Sequence, residues 1–210
     1  MTKVLIADDH PLFRRGLKQL LFSISDQWQV DEAGSGQEIL DRVWREDYDL
    51  VFLDIGLPGR SGLEILEEIM RAKPETRVLI LSMYSEDQFA TQAIKAGAAG
   101  YISKDCESQE LMDAINAVLK GGAYFHTGVI KKLSAEIKDD HEKALHERLS
   151  VREYEVMRLI VKGEKLSKIA KQLAISKSAV SAYRARILKK MGMKNNSDII
   201  QYAVKAGLID

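Results

Sequence analysis

Five side chains stand where a short apolar run gives way to polar sequence. Asp8 and Asp9 follow Val4–Ala7, Asp54 follows Leu50–Leu53, Ser82 follows Val78–Leu81, and Lys104 lies just past Gly100–Ile102. Near-continuous apolar runs of this length read as central strands of a parallel sheet. In a doubly wound sheet, groups at the carboxyl ends of the strands converge on one crevice. Three carboxylates gathered there repel one another unless a cation joins them, and a hard divalent ion such as Mg²⁺, taking one or two carboxylates plus water, answers that need. With the ion bound, Asp54 is a candidate nucleophile. A phosphoryl group transferred to it would have its oxygen charge met by Mg²⁺, by the Lys104 ammonium and by the Ser82 hydroxyl.

A second set of residues is basic. Lys177, Arg184, Arg186, Lys189 and Lys190 lie on or beside a helical segment, Ser178–Met191, and a shorter one, Leu166–Leu173, precedes it. Two helices joined by a tight turn, the second carrying cations, form the arrangement in which the second helix enters the major groove of DNA. Ile169, Leu173, Ile175 and Val180 would hold the pair together, and Ser176 or Ser178 would cap the second helix. Cations so placed go mainly to phosphate and give an affinity that falls steeply with salt.

The elements that must position these groups are legible in the pattern. Besides the four runs above, Gln29–Glu32 is a strand candidate. Leu12, Phe13, Leu17, Leu20 and Leu21 make one helical apolar face. Ile39, Leu40, Val43 and Trp44 make a second, and Leu63, Leu66, Ile69 and Met70 a third. Ser35-x-x-Glu38 and Ser61-x-x-Glu64 are capping-box patterns, while Gly97 and Gly121-Gly122 stand where helix ends need left-handed residues. Successive βα units predict an α/β fold, a doubly wound five-stranded parallel sheet. From Leu149 onward the pattern is wholly helical: Val151–Lys162, Leu166–Leu173, Ser178–Met191 and Ser197–Ala206, the first and the last two closed by Gly163, Gly192 and Gly207. The expected division is therefore an α/β domain over 1–122, a linker with a short helix over 123–147, and an all-α four-helix domain over 148–210. Asp139-Asp140-His141-Glu142-Lys143 is the most polar point of the linker.

Composition supports two unlike halves. The 210 residues suit two modest domains. The net charge of zero hides 13 Lys+Arg against 21 Asp+Glu in residues 1–122, and 18 against 10 in residues 123–210. A basic half points to a polyanionic partner, nucleic acid first. No apolar run approaches the ~18 residues of a membrane span, and the opening Val4–Ala7 is far too short for a signal-peptide core, so a cytoplasmic protein without a membrane partner is expected. Cys106 alone forms no internal disulfide and reads as a packed helix residue. His10 lacks Cys or His partners at ligand spacing and reads as a local hydrogen-bonding residue, and Gly59 and Gly62 belong to no Walker-type phosphate loop.

The motifs together are specific. Asp8-Asp9, Asp54 with Gly56 two residues on and Pro58 beyond, Ser82, and Tyr101 three residues before Lys104 resemble the flavodoxin-like receiver domain of bacterial two-component response regulators. Leu149-Ser150-Val151-Arg152-Glu153-Tyr154-Glu155-Val156, Ile169-Ala170-x-x-Leu173, Ile175-Ser176, Val180, Ile187-Leu188-x-Lys190-Met191 and Ala203–Ile209 resemble the LuxR-type helix-turn-helix of the NarL/FixJ class. The resemblance implies that Asp54 is the phosphoacceptor, that Asp9, Asp54 and the Gly56 carbonyl bind Mg²⁺ with Asp8 in support, and that Ser82 and Tyr101 form a switch. It implies a sensor histidine kinase as phosphodonor, promoter DNA as target, and a homodimer formed on phosphorylation or on DNA, with Ser197–Ala206 as dimer helix. The protein would take part only in its own Mg²⁺-dependent phosphorylation and dephosphorylation, not act as an enzyme on others. DNA contacts would come from Lys177, Ser178, Ser181, Ala182, Arg184, Ala185, Arg186, Lys189 and Lys190. The sequence departs from the family pattern in having Asp105 after the lysine where proline is common, and Ala179 and Tyr183 where threonine and histidine are common. Two other readings use the same groups. A phosphoaspartate hydrolase wants a second Asp two residues after its nucleophile, where Gly56 stands. A regulator whose receiver is a relic would lack pocket residues, and none is missing.

Overall fold

The computed structural model describes residues 1–84, 86–138 and 144–208. The chain divides into two units, Met1–Asp140 and His141–Asp210.

In the first unit, strands β1 (Thr2–Ala7), β2 (Trp28–Ala33), β3 (Leu50–Asp54), β4 (Val78–Ser82) and β5 (Gly100–Ser103) form a parallel sheet in the order β2-β1-β3-β4-β5. This is the doubly wound sheet expected, with each strand extending a residue or two beyond its apolar run. Strand residues alternate between two cores, as a period of two requires. Val4, Ile6, Leu50, Phe52, Leu79, Leu81 and Ile102 meet Leu17 and Leu21 of helix α1 (Pro11–Ile24) and Leu111, Ala114, Ile115 and Val118 of α5 (Ser108–Leu119). Helices α2 (Gly36–Arg45), α3 (Gly62–Ala72) and α4 (Glu86–Lys95) pack side by side in that order, α2 on β2, α3 on β3 and α4 on β5.

Several local expectations are modified. Leu12 and Trp44, placed on the apolar faces of α1 and α2, are exposed. The Ser35 hydroxyl accepts from the Glu38 amide, but the Glu38 carboxylate accepts from Gly34 rather than from Ser35. Ser61 accepts from the Leu63 amide, a shorter cap than the motif implies. Of the paired glycines, Gly121 alone is left-handed. Between Gly122 and the expected short helix the chain first pairs with the sheet edge. The Tyr101 amide donates to the Tyr124 carbonyl at 3.0 Å and the Tyr124 amide to that of Ala99 at 2.9 Å. Gly100 permits this approach, since a Cβ there would lie 2.9 Å from the Tyr124 carbonyl oxygen. A twelve-residue helix, α6 (Thr127–Lys138), then packs on α4 and buries Val129. The polar point Asp139–Lys143 lies outside the described residues.

The second unit opens with a 3-10 turn, Leu145–Arg148, followed by α7 (Val151–Val161), α8 (Leu166–Gln172), α9 (Lys177–Met191) and α10 (Asn196–Lys205). Ser150 and Glu153 form a complete capping box at α7, as do Asn195 and Asp198 at α10. Val156, Met157, Ile169, Val180, Ile187, Ile199 and Ala203 are buried. The turn between α8 and α9 passes through Ala174 with φ +53°, the single non-glycine residue with positive φ among those described.

Candidate functional site

The carboxyl ends of β1 and β3 meet at the point where the strand order reverses, the usual ligand crevice of such sheets. Asp8 and Asp54 are both buried there, at 2% and 4% exposure. One oxygen from each of Asp8, Asp9 and Asp54, with a ring nitrogen of His10, lie within 4.8 Å of one another. Lys104, folded in from the β5–α5 loop, places Nζ 2.7 Å from Asp54 Oδ2 and 2.7 Å from Asp8 Oδ2. Its ammonium also lies 4.9 Å from the centre of the Phe13 ring. The Lys104 backbone is anchored by an N–H bond of 2.8 Å to the Ser82 carbonyl. Asp105, in place of the common proline, is trans-linked and is hydrogen-bonded by the Ser103 hydroxyl.

Burial pushes the Asp54 carboxyl above the usual carboxylate range, although Lys104 and the Gly56 amide, which donates to Asp54 Oδ1 at 2.9 Å, pull it down. Lys104 offsets one of three carboxylate charges. Two oxygens, Asp8 Oδ2 and Asp9 Oδ1, are buried without a well-aligned hydrogen bond; Lys104 lies 2.7 Å from the first and the His10 ring 2.9 Å from the second, as ion-pair contacts. Buried oxygens so converged, with surplus negative charge, fit a hard divalent cation. His10 hydrogen-bonds locally: its amide donates to Asp8 Oδ1 at 2.8 Å, and its ring Nδ1 lies 3.1 Å from Asp8 Oδ1 and 2.9 Å from Asp9 Oδ1.

Ser82 stands one residue beyond Leu81, the register partner of Asp54, and its Oγ accepts from the Tyr84 amide at 3.0 Å. Tyr101 is fully buried and its hydroxyl donates to the Tyr84 carbonyl at 3.1 Å. The β4–α4 loop is thus tied at adjacent peptides to both residues of the expected switch. Beside Lys104 an open groove of about 890 Å³ runs between α1 and the β5–α5 loop, lined by Leu12, Phe13, Leu20, Met83 and Cys106 among others.

One requirement of this pocket went unread in the sequence. A Cβ on Gly62 would fall 2.1 Å from the Asp54 carbonyl oxygen and 2.6 Å from the Ile55 Cα, so α3 can begin against the end of β3 only with glycine there. Its amide donates to the Ile55 carbonyl at 3.1 Å. The available signal was a glycine inside a capping motif, where a helix former is otherwise preferred.

In the second unit, Ser176 caps α9, its Oγ accepting from the Ala179 amide at 3.1 Å. Lys177, Ser178, Ser181, Ala182, Ala185, Arg186, Lys189 and Lys190 are exposed along α9. Arg184 is less exposed than these. It is half-buried and its Nε donates to Asn196 Oδ1, at the start of α10, at 2.6 Å. Lys190 pairs at 2.6 Å with buried Glu153, and the Arg186 guanidinium stacks 4.5 Å over the Tyr183 ring. Burial pushes the Glu153 carboxyl up, but hydrogen bonds from Lys190 and Ser150 outweigh it and hold it below the usual range. At the α8–α9 turn a notch of about 660 Å³ is lined by Lys168, Lys171, Lys177, Ser167 and Ser176. On α10, Ile199 and Ala203 are buried, Tyr202 and Ile200 half-buried and Val204 exposed. Among the described residues no helix is long and apolar enough to cross a membrane.

A doubly wound sheet with an acidic pocket and a lysine at its switch point, followed by a helix-turn-helix unit, defines a response regulator. Family comparison agrees: residues 4–116 match the response regulator receiver domain and residues 147–203 the bacterial regulatory proteins of the luxR family. The chain belongs to the response regulators of the NarL/FixJ class. The response regulator UvrY of Escherichia coli is 31% identical over 209 residues, covering 99% of this chain and 96% of that protein. The response regulator GacA of Pseudomonas syringae is 32% identical over 211 residues, covering 100% of this chain and 99% of that protein. Among solved structures, RcsB of Salmonella enterica serovar Typhimurium, bound to the promoter rprA in the presence of phosphomimetic BeF3⁻, aligns with a TM-score of 0.63 at 25% identity, covering 96% of this chain and 97% of that one.

Proposed function

We propose that this response regulator is a transcription factor switched by an aspartyl phosphate on Asp54. The carrying observation is Asp54 Oδ2 at 2.7 Å from Lys104, beside buried Asp8 and Asp9 oxygens that lack well-aligned hydrogen bonds. Asp9, Asp54 and the Gly56 carbonyl would hold Mg²⁺, with Asp8 in support. When bound, the ion supplies positive charge to the phosphoryl oxygens. An Asp54 oxygen attacks phosphorus as the bond to the donor breaks, and the donor leaves with its electron pair. Lys104 then releases Asp54 Oδ2 to meet the phosphoryl group, and the Ser82 hydroxyl leaves the Tyr84 amide for the same charge. With that amide freed, the β4–α4 loop and Tyr101 rearrange together, a bistable element biased by a local charge.

The donor is a sensor histidine kinase and the protein works in the cytoplasm, taking part in its own phosphorylation and dephosphorylation. Residues 1–122 form the receiver, 123–147 the connection that includes α6, and 148–210 the DNA-binding domain. Promoter DNA is read by the exposed α9 face, with Ser178, Ser181, Ala182 and Ala185 toward the bases and Lys177, Arg186, Lys189 and Lys190 toward phosphate. A homodimer forms through α10, where Val204 is exposed, when the chain is phosphorylated or bound to DNA. The bound state of the related RcsB on promoter DNA with a phosphoryl mimic supports this reading.

The chain incubated with acetyl phosphate and Mg²⁺ and run on a Phos-tag gel will give a retarded band that Asp54→Asn lacks. A retarded band of equal intensity in Asp54→Asn overturns the assignment.

A further inference from the structure

The Asp8–Asp9 corner is held from outside the pocket. β1 ends at Ala7, and the Asp8 amide still pairs with the Ala33 carbonyl of β2 at 3.0 Å. The Asp8 carbonyl is instead taken by Arg14 on α1, whose Nη1 donates to it at 2.6 Å. Arg14 is itself fixed, since its Nε donates to Glu32 Oε2 at 3.1 Å, and Lys18 donates to the other Glu32 oxygen at 3.1 Å. Glu32 sits on β2 in register with Ile6, two residues before Asp8. Its carboxyl faces a burial cost that pushes it up, yet Lys18 and Arg14 hold it below the usual range. The side chain of Arg14 is 17% exposed. One planar guanidinium therefore spans α1, β2 and the corner that carries two of the three pocket carboxylates.

We infer that Arg14 is a positioning residue for the cation pocket: bridged to Glu32, it fixes the peptide after Asp8 and so the directions in which the Asp8 and Asp9 carboxylates point. The inference rests on the cation reading above. Asp8 and Asp9 need such support because each has a buried oxygen without a well-aligned hydrogen bond, met only by the Lys104 ammonium at 2.7 Å on Asp8 and by the exposed His10 ring at 2.9 Å on Asp9. Partners that orient ligating groups without touching the metal are worth about 10–100-fold in metal affinity. The fork geometry matters. Lysine at position 14 could reach the carbonyl or Glu32 but, as a point donor, could not hold both in one plane.

The test is Mg²⁺ titration of the full chain, followed by the amide NMR shift of Gly56, for the unaltered protein and for Arg14→Gln, Arg14→Lys and Glu32→Gln, with a thermal melt of each in Mg²⁺-free buffer. Lys73→Gln, which breaks an exposed ion pair with Asp47 away from the pocket, serves as control. Arg14→Gln will weaken Mg²⁺ binding by about tenfold or more, and Glu32→Gln and Arg14→Lys by smaller factors in the same direction, while Lys73→Gln leaves it unchanged. Loss of thermal stability in Arg14→Gln and Glu32→Gln with an unaltered Mg²⁺ dissociation constant would overturn the inference, because a merely structural tie predicts that result. Absence of any Mg²⁺ response in the unaltered chain would overturn the cation reading itself. If Arg14→Gln does not fold, the Glu32→Gln titration decides on the same criterion.

Discussion

Replacing Gly62 by alanine probes the join between the fold and the pocket. The added Cβ would sit 2.1 Å from the Asp54 carbonyl oxygen and 2.6 Å from the Ile55 Cα, and both are backbone atoms that cannot rotate away. Real contacts of this kind begin near 3.0 Å, so α3 and the end of β3 must separate by about 1 Å. Overpacking that moves backbone costs about 1–3 kcal/mol. For a protein of this length that lowers the melting temperature by roughly 3–10 °C. The displacement acts on the peptide that carries Asp54, so the chemistry should suffer beyond the loss of stability. At a temperature where Gly62→Ala is fully folded by circular dichroism, phosphorylation by acetyl phosphate should fall at least tenfold, because displacements of about 1 Å cost on the order of 100-fold in positioned chemistry. A variant that melts within 1 °C of the parent and accepts phosphate at the same rate would refute this reasoning.

Three further outcomes follow. Ala174→Gly should stabilise the second unit by about 0.5–1 kcal/mol in urea unfolding, because the residue holds φ +53° and glycine removes the Cβ penalty at some entropic cost. Lys177→Gln and Lys189→Gln should each reduce the slope of log affinity for DNA against log salt by about one unit, whereas Arg184→Gln, whose partner is Asn196, should leave that slope unchanged. Glu153 is held below the usual glutamate range, so its contribution to stability is present above that range and is lost as pH falls through the depressed value. Unfolding of the second unit followed from pH 7 to pH 3 should show that loss, and Glu153→Gln should flatten it.

The residues of the proposed pocket were legible because each sits at a place the fold marks. Asp8, Asp54 and Ser82 close apolar runs, and the direction of a parallel strand sends all such ends to one edge of the sheet. The capping serine of α9 and the buried Ile169, Val180 and Ile187 were likewise readable from local spacing. What stayed hidden depends on partners distant in sequence. Gly62 matters because α3 returns onto β3, and Arg14 because β2 lies beside β1. Arg184 reads as a cation on α9, and its bond to Asn196 shows only once α10 folds back beside that helix. Apolar periodicity also overstates the core at its edges, since Leu12 and Trp44 fall on the proper stripes yet face outward. The α6 segment carries few large apolar residues, so its pattern gave a short helix but not its twelve-residue length or its packing on α4.

The central claim is that charge gained at Asp54 alters how the second unit engages DNA. Fluorescence anisotropy with promoter DNA drawn from upstream of the protein's own gene, at fixed salt, measures this in the full chain with and without acetyl phosphate and Mg²⁺. The account predicts that the phosphodonor tightens binding by the unaltered protein and has no effect on Asp54→Asn. Equal affinity of the unaltered protein in both conditions, once Phos-tag gels show that it is phosphorylated, would contradict it.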